Sequence, residues 1–369
     1  MTMRCALLEF NPYHGEILPA WVHVLNRLGV EADVFASLRI IRNDPLGCVR
    51  DLRYRQFLTG GPAYLWHAAR RFKDYDFVVF NSIEPRGVLA RAARFERPAL
   101  AVLHNAHLLR ENSAYREFFA RPARLPVTLA AHAARTWPEA QRDSWLAPVL
   151  LLSGDIAAPP VPETARTARL CVQGNVEYKR RNYPALLDAL AELHASGETR
   201  VHVQIAGRNH IPDGKLLRRQ AAERGLSAQF SYTRRPFFFT DIGYRKYYAT
   251  LTGTDFILPL VDDSPPYRAY LEDKLTSSVV AAIGLVCVPI LHRRLAELYG
   301  IEDAALQYEN GGLAQALRRA SELKPDELAR LRAALAQKRG ELLAASCENI
   351  RALLQKLGLP APSLREVQR

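Results

Sequence analysis

At 369 residues, with 49% apolar and 24% charged residues, the chain has room for two soluble globular domains and lacks the bias of a disordered or fibrous sequence. Its five cysteines (Cys5, Cys48, Cys171, Cys287, Cys347) are scattered with no CxxC pair, which argues against a metal cluster or disulfide scaffold and fits buried, reduced thiols in the cytoplasm. A net charge of +12 suits a polyanionic partner or a solvated arginine-rich surface; with no recognition motif beside the charge, nucleic acid is not expected.

Arg4–Phe10 reads as a first strand, too short and, at Glu9, too acidic for a signal peptide, and NPYHGE (11–16) as its loop. Ile17, Trp21, Val24, Leu25 and Leu28 then recur at helical spacing up to Gly29, and Val30–Ala36 reads as a second strand. Between residues 39 and 73, Arg39, Arg42, Arg50, Arg53, Arg55, Arg70, Arg71 and Lys73 face only Asp44 and Asp51, a net +6, with Tyr54, Phe57, Tyr64 and Trp66 interleaved. Two readings stand: a patch that docks on anionic lipid head groups, or a solvated surface. Phe77–Phe80, Ala99–Leu103, Val127–Ala130 and Val149–Leu152 read as further short strands, with a helix over 86–95.

The segment 153–169, SGDIAAPPVPETARTAR, has no apolar period and reads as a linker, which sets domains at 1–155 and 170–369 with 156–169 between them. Alternation then resumes: strands at 170–173, 201–206 and 228–232, helices at 184–193, 216–224 and 244–251. Phe256–Val261 is a buried strand, 262–270 a polar loop, Thr276–Ser278 the start of a helix, and Leu285–Leu291 the next strand. A long helix over 325–357 closes the second domain, with a frayed tail beyond Pro360. The longest uncharged stretch, Leu275–Leu291, is broken by Thr276, Ser277, Ser278, Gly284 and Pro289, short of the ~20 apolar residues of a spanning helix. Strands alternating with helices imply an α/β protein with two Rossmann-like, doubly wound parallel sheets facing across a cleft, and a ligand at the carboxyl ends of the strands.

The loops after strands carry the candidate chemistry. NPYHGE sets His14 beside Glu16, an imidazole suited to moving a proton near neutral pH, with Asn11 and a permissive Gly15 alongside; a plain capping loop is the alternative. LHNAHLL (103–109) places His104 and His107 three apart without a third ligand, so a base, a substrate contact or a structural histidine is expected rather than a metal. In QGNVEYKRRNYPALLDAL (173–190), Gly174 and Asn175 end a strand, and Lys179, Arg180 and Arg181 crowd before a helix start. Cations there oppose the helix dipole but would hold an anion such as a diphosphate, unless the turn is simply a basic surface. Arg208 ends the next strand in the same manner. Lys274 with Thr276, Ser277 and Ser278 makes a second phosphate-friendly turn, with Tyr270 before it and Glu272 able to accept a ribose hydroxyl; ordinary helix caps are the alternative. No Walker loop and no GxGxxG follows a predicted strand, and GxSxG is missing, which argues against nucleotide hydrolases, dinucleotide oxidoreductases and α/β-hydrolases.

GNVEYKRRNYPALLDAL, YRKYYATLTGTDFILPL and LEDKLTSSVVAAIGLVCVPI together resemble the C-terminal half of a nucleotide-sugar glycosyltransferase of the GT-B fold. That resemblance implies a metal-independent hexosyltransferase-like enzyme without a cofactor, in which a nucleotide diphosphate sugar is the co-substrate. By it, residues 1–155 form the acceptor side, where His14, Glu16 and His104 are the catalytic candidates. Gly174, Asn175, Lys179, Arg180, Arg208, Tyr270, Glu272, Lys274, Thr276, Ser277 and Ser278 would then hold the donor. The acceptor would be a saccharide or lipid-linked saccharide of cell-surface glycan synthesis, lipopolysaccharide included, with the protein cytoplasmic and peripheral at the inner face of the plasma membrane. Where many retaining members carry two glutamates separated by seven residues, this chain has Glu272 and Val280, and Asn175 stands where arginine is frequent. A nucleotide-sugar epimerase of the same fold and a non-catalytic polyanion- or glycan-binding protein remain open as alternatives.

Overall fold

A computed structural model describes residues 2–153, 156, 167–233 and 243–360. Six strands form the first sheet: β1 (Arg4–Leu8), β2 (Glu31–Ala36), β3 (Tyr54–Leu58), β4 (Phe77–Phe80), β5 (Ala99–Val102) and β6 (Arg124–Val127). All pair in parallel, in the order β3-β2-β1-β4-β5-β6. The second sheet holds β7 (Ala168–Gln173), β8 (Val201–Ala206), β9 (Phe230–Tyr232), β10 (Phe256–Ile257), β11 (Val288–His292) and β12 (Leu306–Tyr308). It is likewise parallel, in the order β12-β11-β10-β7-β8-β9. Within each sheet the winding direction reverses beside the first strand, at β1/β4 and at β7/β10, so both sheets are doubly wound.

Burial of both faces explains why the strands read as apolar runs rather than as alternations. β4 and β5 are buried along their whole length. Successive residues of β1 serve opposite faces: Cys5 and Leu7 pack with Trp21, Leu25, Val79 and Leu100, whereas Ala6 and Leu8 pack with Phe35, Phe80, Phe72 and Trp137. Among the described residues no helix is long and apolar enough to cross a membrane.

The chain divides into two compact units, and the division differs from a simple cut at the linker. One unit comprises the chain up to Leu150, the short piece Glu272–Leu275 and the residues from Glu341 onward; the other holds Leu151–Leu271 and Thr276–Gly340. The end of the long helix Pro325–Lys356 therefore belongs with the first sheet, not with the second as the linker reading assigned it. Cys347, Ile350, Leu353, Leu354 and Leu357 recur at helical spacing and complete the core on the Cys5/Leu7 face. The same helix supplies Ser346, whose hydroxyl takes the Ala147 N–H at 3.0 Å, and Asn349, which donates to the Trp145 carbonyl at 3.2 Å. Val149–Leu152, read from sequence as a strand, is not one: the Val149 N–H turns back to the Ala147 carbonyl at 2.8 Å. The first sheet instead gains β3, hidden in the basic segment, which folds as the helix Leu38–Asn43, β3 at the sheet edge, and the helix Pro62–Ala69. Of the expected linker, 157–166 lies outside the described residues, as does the tail at 361–369, while Ala168 and Arg169 already belong to β7.

Two glycines let the ends of β7 and β8 meet. Gly174 has φ 90° and Gly207 φ 149°, and the Gly174 N–H donates to Ala206 at 2.6 Å. A Cβ on Gly207 would lie 2.2 Å from the Gly174 carbonyl oxygen, which is backbone and cannot swing aside. Gly207→Ala is therefore expected to lose about 3 kcal/mol or more of stability in urea unfolding. Gly197→Ala, at φ 79° with open space around it, should lose only about 1 kcal/mol. Equal losses at the two positions would mean that the close approach of β7 and β8 is not what requires Gly207.

Candidate active site

In the first unit the reversal point lies between β1 and β4, and the next residues along, Glu9 and Asn81, open the loops that splay apart there. His14 sits in the loop after β1 with φ 63°, a left-handed conformation that costs a non-glycine residue about 1–2 kcal/mol. Its carbonyl is held by the Asn81 side-chain amide at 3.0 Å and by the Ile17 N–H at 3.2 Å. Glu16 places Oε1 3.8 Å from His14 Nδ1. His104, in the loop after β5, brings its ring to 3.9 Å from the His14 ring, tilted by 32°. The three catalytic candidates of the sequence thus come together in one place.

His104 Nε2 lies 3.2 Å from the Asn81 carbonyl oxygen. A carbonyl only accepts, so Nε2 carries the proton and the neutral ring leaves Nδ1 bare. Burial, helped by the neighbouring His14, pushes the pKa of His104 down to about 3. Burial also works against charge on His14, but the hydrogen bond and charge of Glu16, with Glu9 and Glu84, outweigh it and raise its pKa. Two stacked imidazoles are thereby driven apart, one kept neutral and the other readily protonated, the separation that acid–base pairs need.

Sequence reasoning missed what supports them. Glu9 is fully buried, and burial raises its pKa to about 7 against hydrogen bonds from Asn81 and Asn11. Its Oε2 accepts from Asn81 Nδ2 at 2.7 Å and its Oε1 from the Asn11 N–H at 2.7 Å. Asn11 in turn donates to the Glu84 carbonyl at 2.7 Å and to Ser82 Oγ at 3.2 Å. Glu84 accepts from the Asn105 N–H at 3.0 Å and from the Asn105 side-chain amide, tying the β4 loop to the β5 loop. The signal was a carboxylate closing an apolar strand (ALLE) and NSIE following FVVF. Read as strand ends, both offered polar side chains at the carboxyl ends of adjacent strands, where this fold places its ligand sites.

His107 is engaged elsewhere, its Nδ1 2.7 Å from Asp273 Oδ2. Among the described residues no three His, Cys, Asp or Glu side chains gather as metal ligands. Asp273 and Lys274 lie in the first unit, where Lys274 bridges antiparallel to Asn105, the Ala106 N–H reaches Asp273 O at 3.2 Å, and His132 Nε2 reaches Lys274 O at 3.2 Å. Glu272 and Lys274, grouped by sequence with the turn at Thr276, thus fall in a different unit from Thr276, Ser277 and Ser278.

In the second unit the reversal point lies between β7 and β10, and Gly174 and Asn175 open the loop after β7. Of the three cations that follow, Lys179 and Arg180 turn to Glu177, at 4.0 and 2.8 Å. Arg181 instead lies against the glycine turn: its guanidinium is 3.0 Å from where a Gly174 side chain would start, and it donates to the Asn175 carbonyl at 3.3 Å. Its Nε is buried without a hydrogen-bond partner. Arg208 contributes its carbonyl to the Val176 N–H at 3.0 Å. The helix Ser277–Leu285 begins beside this turn: Gln173, the last residue of β7, reaches Ser277 Oγ at 3.5 Å and keeps a buried, unpartnered Oε1. Thr276 stands at the cap position with no side-chain cap bond, and its N–H donates to the Tyr299 hydroxyl at 2.8 Å. Ser278 is buried, and Tyr270 lies half-buried in the short helix Ala269–Glu272. An arginine, a glycine turn and a helix N-terminus are parts suited to an anion.

By sequence the chain matches no family model and no curated protein. By structure it is similar to HepE from Anabaena, solved in complex with UDP and glucose, with a TM-score of 0.62 at 12% identity over 96% of this chain and 100% of that one. A glycosyltransferase from Rickettsia africae gives 0.61 at 11% identity, over 96% and 99%. The lipopolysaccharide outer core galactosyltransferase WaaB in its apo form gives 0.53 at 12% identity, over 96% and 99%. The likeness establishes the fold, the two Rossmann-like domains of the GT-B class.

The environment of Glu9 makes a signed prediction. With a folded pKa raised from 4.5 to about 7, the native state keeps a proton that the unfolded chain releases, so stability falls as pH rises through that window. Relative to Glu9→Gln, the wild-type protein should lose about 2–3 kcal/mol of unfolding free energy between about pH 5 and about pH 8. A difference between the two proteins that does not change with pH would contradict this environment for Glu9.

Proposed function

We propose that this chain is a glycosyltransferase that moves a sugar from a nucleotide diphosphate sugar to a hydroxyl of a saccharide or lipid-linked acceptor. The observation that carries this reading is the meeting of His14, Glu16 and His104 at the reversal point of the first sheet, in a protein with the GT-B fold. His14 takes the proton of the acceptor hydroxyl as its oxygen attacks the anomeric carbon, and Glu16 steadies the imidazolium that forms. His104, neutral with Nδ1 bare, offers a hydrogen-bond acceptor beside it. The bond from the anomeric carbon to the diphosphate breaks, and the nucleoside diphosphate leaves with the bonding pair. Its charge is met by Arg181 at the Gly174–Asn175 turn and by the helix start at Thr276–Ser278. Those groups stabilise the leaving group electrostatically, the work that oriented donors do in acyl and phosphoryl transfer as well.

The acceptor reading draws support from the surface around β3. Leu38, Leu58, Leu65 and Trp66 are among the most exposed large apolar side chains, and all lie in or beside the segment of net charge +6. The Arg70 guanidinium covers the Trp66 ring at 4.7 Å. Apolar tips among arginines suit the interface of an anionic leaflet, and with it an acceptor held in the membrane of the cell-surface glycan pathway.

Given nucleotide diphosphate sugars and a lipid extract as acceptor, the protein should release nucleoside diphosphate only when acceptor is present. His14→Ala should slow this by about 10²–10⁴-fold while leaving the donor KM within about threefold. Donor turnover without acceptor would point instead to an epimerase of the same fold. Equal rates with acceptor in neutral and in anionic vesicles would remove the membrane part of the proposal.

A further inference from the structure

We propose that Glu9 is a positioning residue for the His14–His104 pair, holding both histidines through Asn81. The inference rests on the reading of that pair as the proton-handling centre.

The geometry is a chain of specific bonds. The two carboxylate oxygens of Glu9 accept from the Asn11 N–H and from Asn81 Nδ2, each at 2.7 Å. The same Asn81 amide donates to the His14 carbonyl at 3.0 Å, holding the strained left-handed residue in place. The main-chain carbonyl of Asn81 accepts from His104 Nε2 at 3.2 Å, which sets the tautomer of that ring. One carboxylate therefore orients the main chain of one histidine and, through a single intervening residue, the ring of the other.

The orientation of Asn81 shows why a carboxylate suits this place. Its NH2 group faces two acceptors, Glu9 and the His14 carbonyl, and its Oδ1 is left buried without a partner. A buried polar atom without a partner costs about 1–3 kcal/mol, so something must oppose the flip that would satisfy it. An ionised Glu9 opposes it, because a flipped amide would turn Oδ1 against a negative oxygen. A protonated Glu9 permits it: its O–H could donate to Oδ1, and the amide would then release the His14 carbonyl. Protonation of Glu9 is thereby linked to the conformation of His14. The titratable groups around this assembly are His14 and Glu16 on the loop after β1, Glu84 on the loop after β4 and His104 on the loop after β5.

Histidine NMR on the full chain tests the linkage without relying on turnover. In the wild-type protein the His14 signal should report two inflections, its own and one near pH 7 where Glu9 titrates. In Glu9→Gln the second inflection should vanish and the His14 midpoint should fall by about half a unit or more, because a neighbouring negative charge is lost. Glu9→Asp, which keeps the charge, should retain most of the midpoint. A single His14 inflection in the wild-type protein, or an unmoved midpoint in Glu9→Gln, would overturn the inference whatever the enzyme does. A shifted midpoint in a protein that transfers no sugar would overturn the functional reading and leave the linkage standing.

Discussion

A parallel sheet buried on both faces needs helices on both, and right-handed crossovers can supply them only if the chain reverses its direction of winding once. Each sheet of this protein makes that reversal beside its first strand, at β1/β4 and β7/β10. There the following loops lean to opposite sides, and the carboxyl ends of two adjacent strands are left uncovered by helices. Polar groups at those ends either meet a ligand or hold in place the side chains that do. Glu9, Asn81 and His14 in the first unit, and Gly174 and Arg181 in the second, stand at those ends.

Within the first site, burial sets the chemistry. Charge on one of two imidazoles stacked at 3.9 Å disfavours charge on the other, and the asymmetry of their surroundings decides which one gains a proton more easily. His104 is enclosed and donates to a carbonyl, so it stays neutral; His14 has carboxylates around it, so it gains a proton more easily. The buried Glu9 ties this electrostatic arrangement to the main chain through Asn81. In the second site the logic runs the other way: Arg181 is held against a glycine turn, with its Nε lacking a partner, where an anion would be welcome.

The fold class was legible because short apolar runs such as FVVF and ALAV, too short for helices and spaced by helical patterns, fit strands buried on both faces. β3 was hidden because an edge strand shows one side to solvent and can carry Arg55 there. β12, with three residues, is too short to show a period. The placing of the last helical turns could not be read, since the spacing of Cys347, Ile350 and Leu354 shows a buried face without naming the core that buries it. In the site, His14, Glu16 and His104 were visible as reactive types after strands. Glu9 was passed over because a carboxylate at the end of an apolar strand looks like the strand's solvent-exposed end, whereas it is fully enclosed. Among the cations at 179–181, sequence alone could not tell that Glu177 holds the first two and that the third turns inward.

Calorimetric titration of the full chain with UDP and other nucleoside diphosphates is the most direct test of a donor site at the second reversal point. Binding should be measurable for at least one of them, weakened about tenfold or more in Arg181→Ala, where a charge-assisted contact is lost, and unchanged in His14→Ala. Absence of binding by every nucleoside diphosphate, or equal binding by Arg181→Ala, would contradict it.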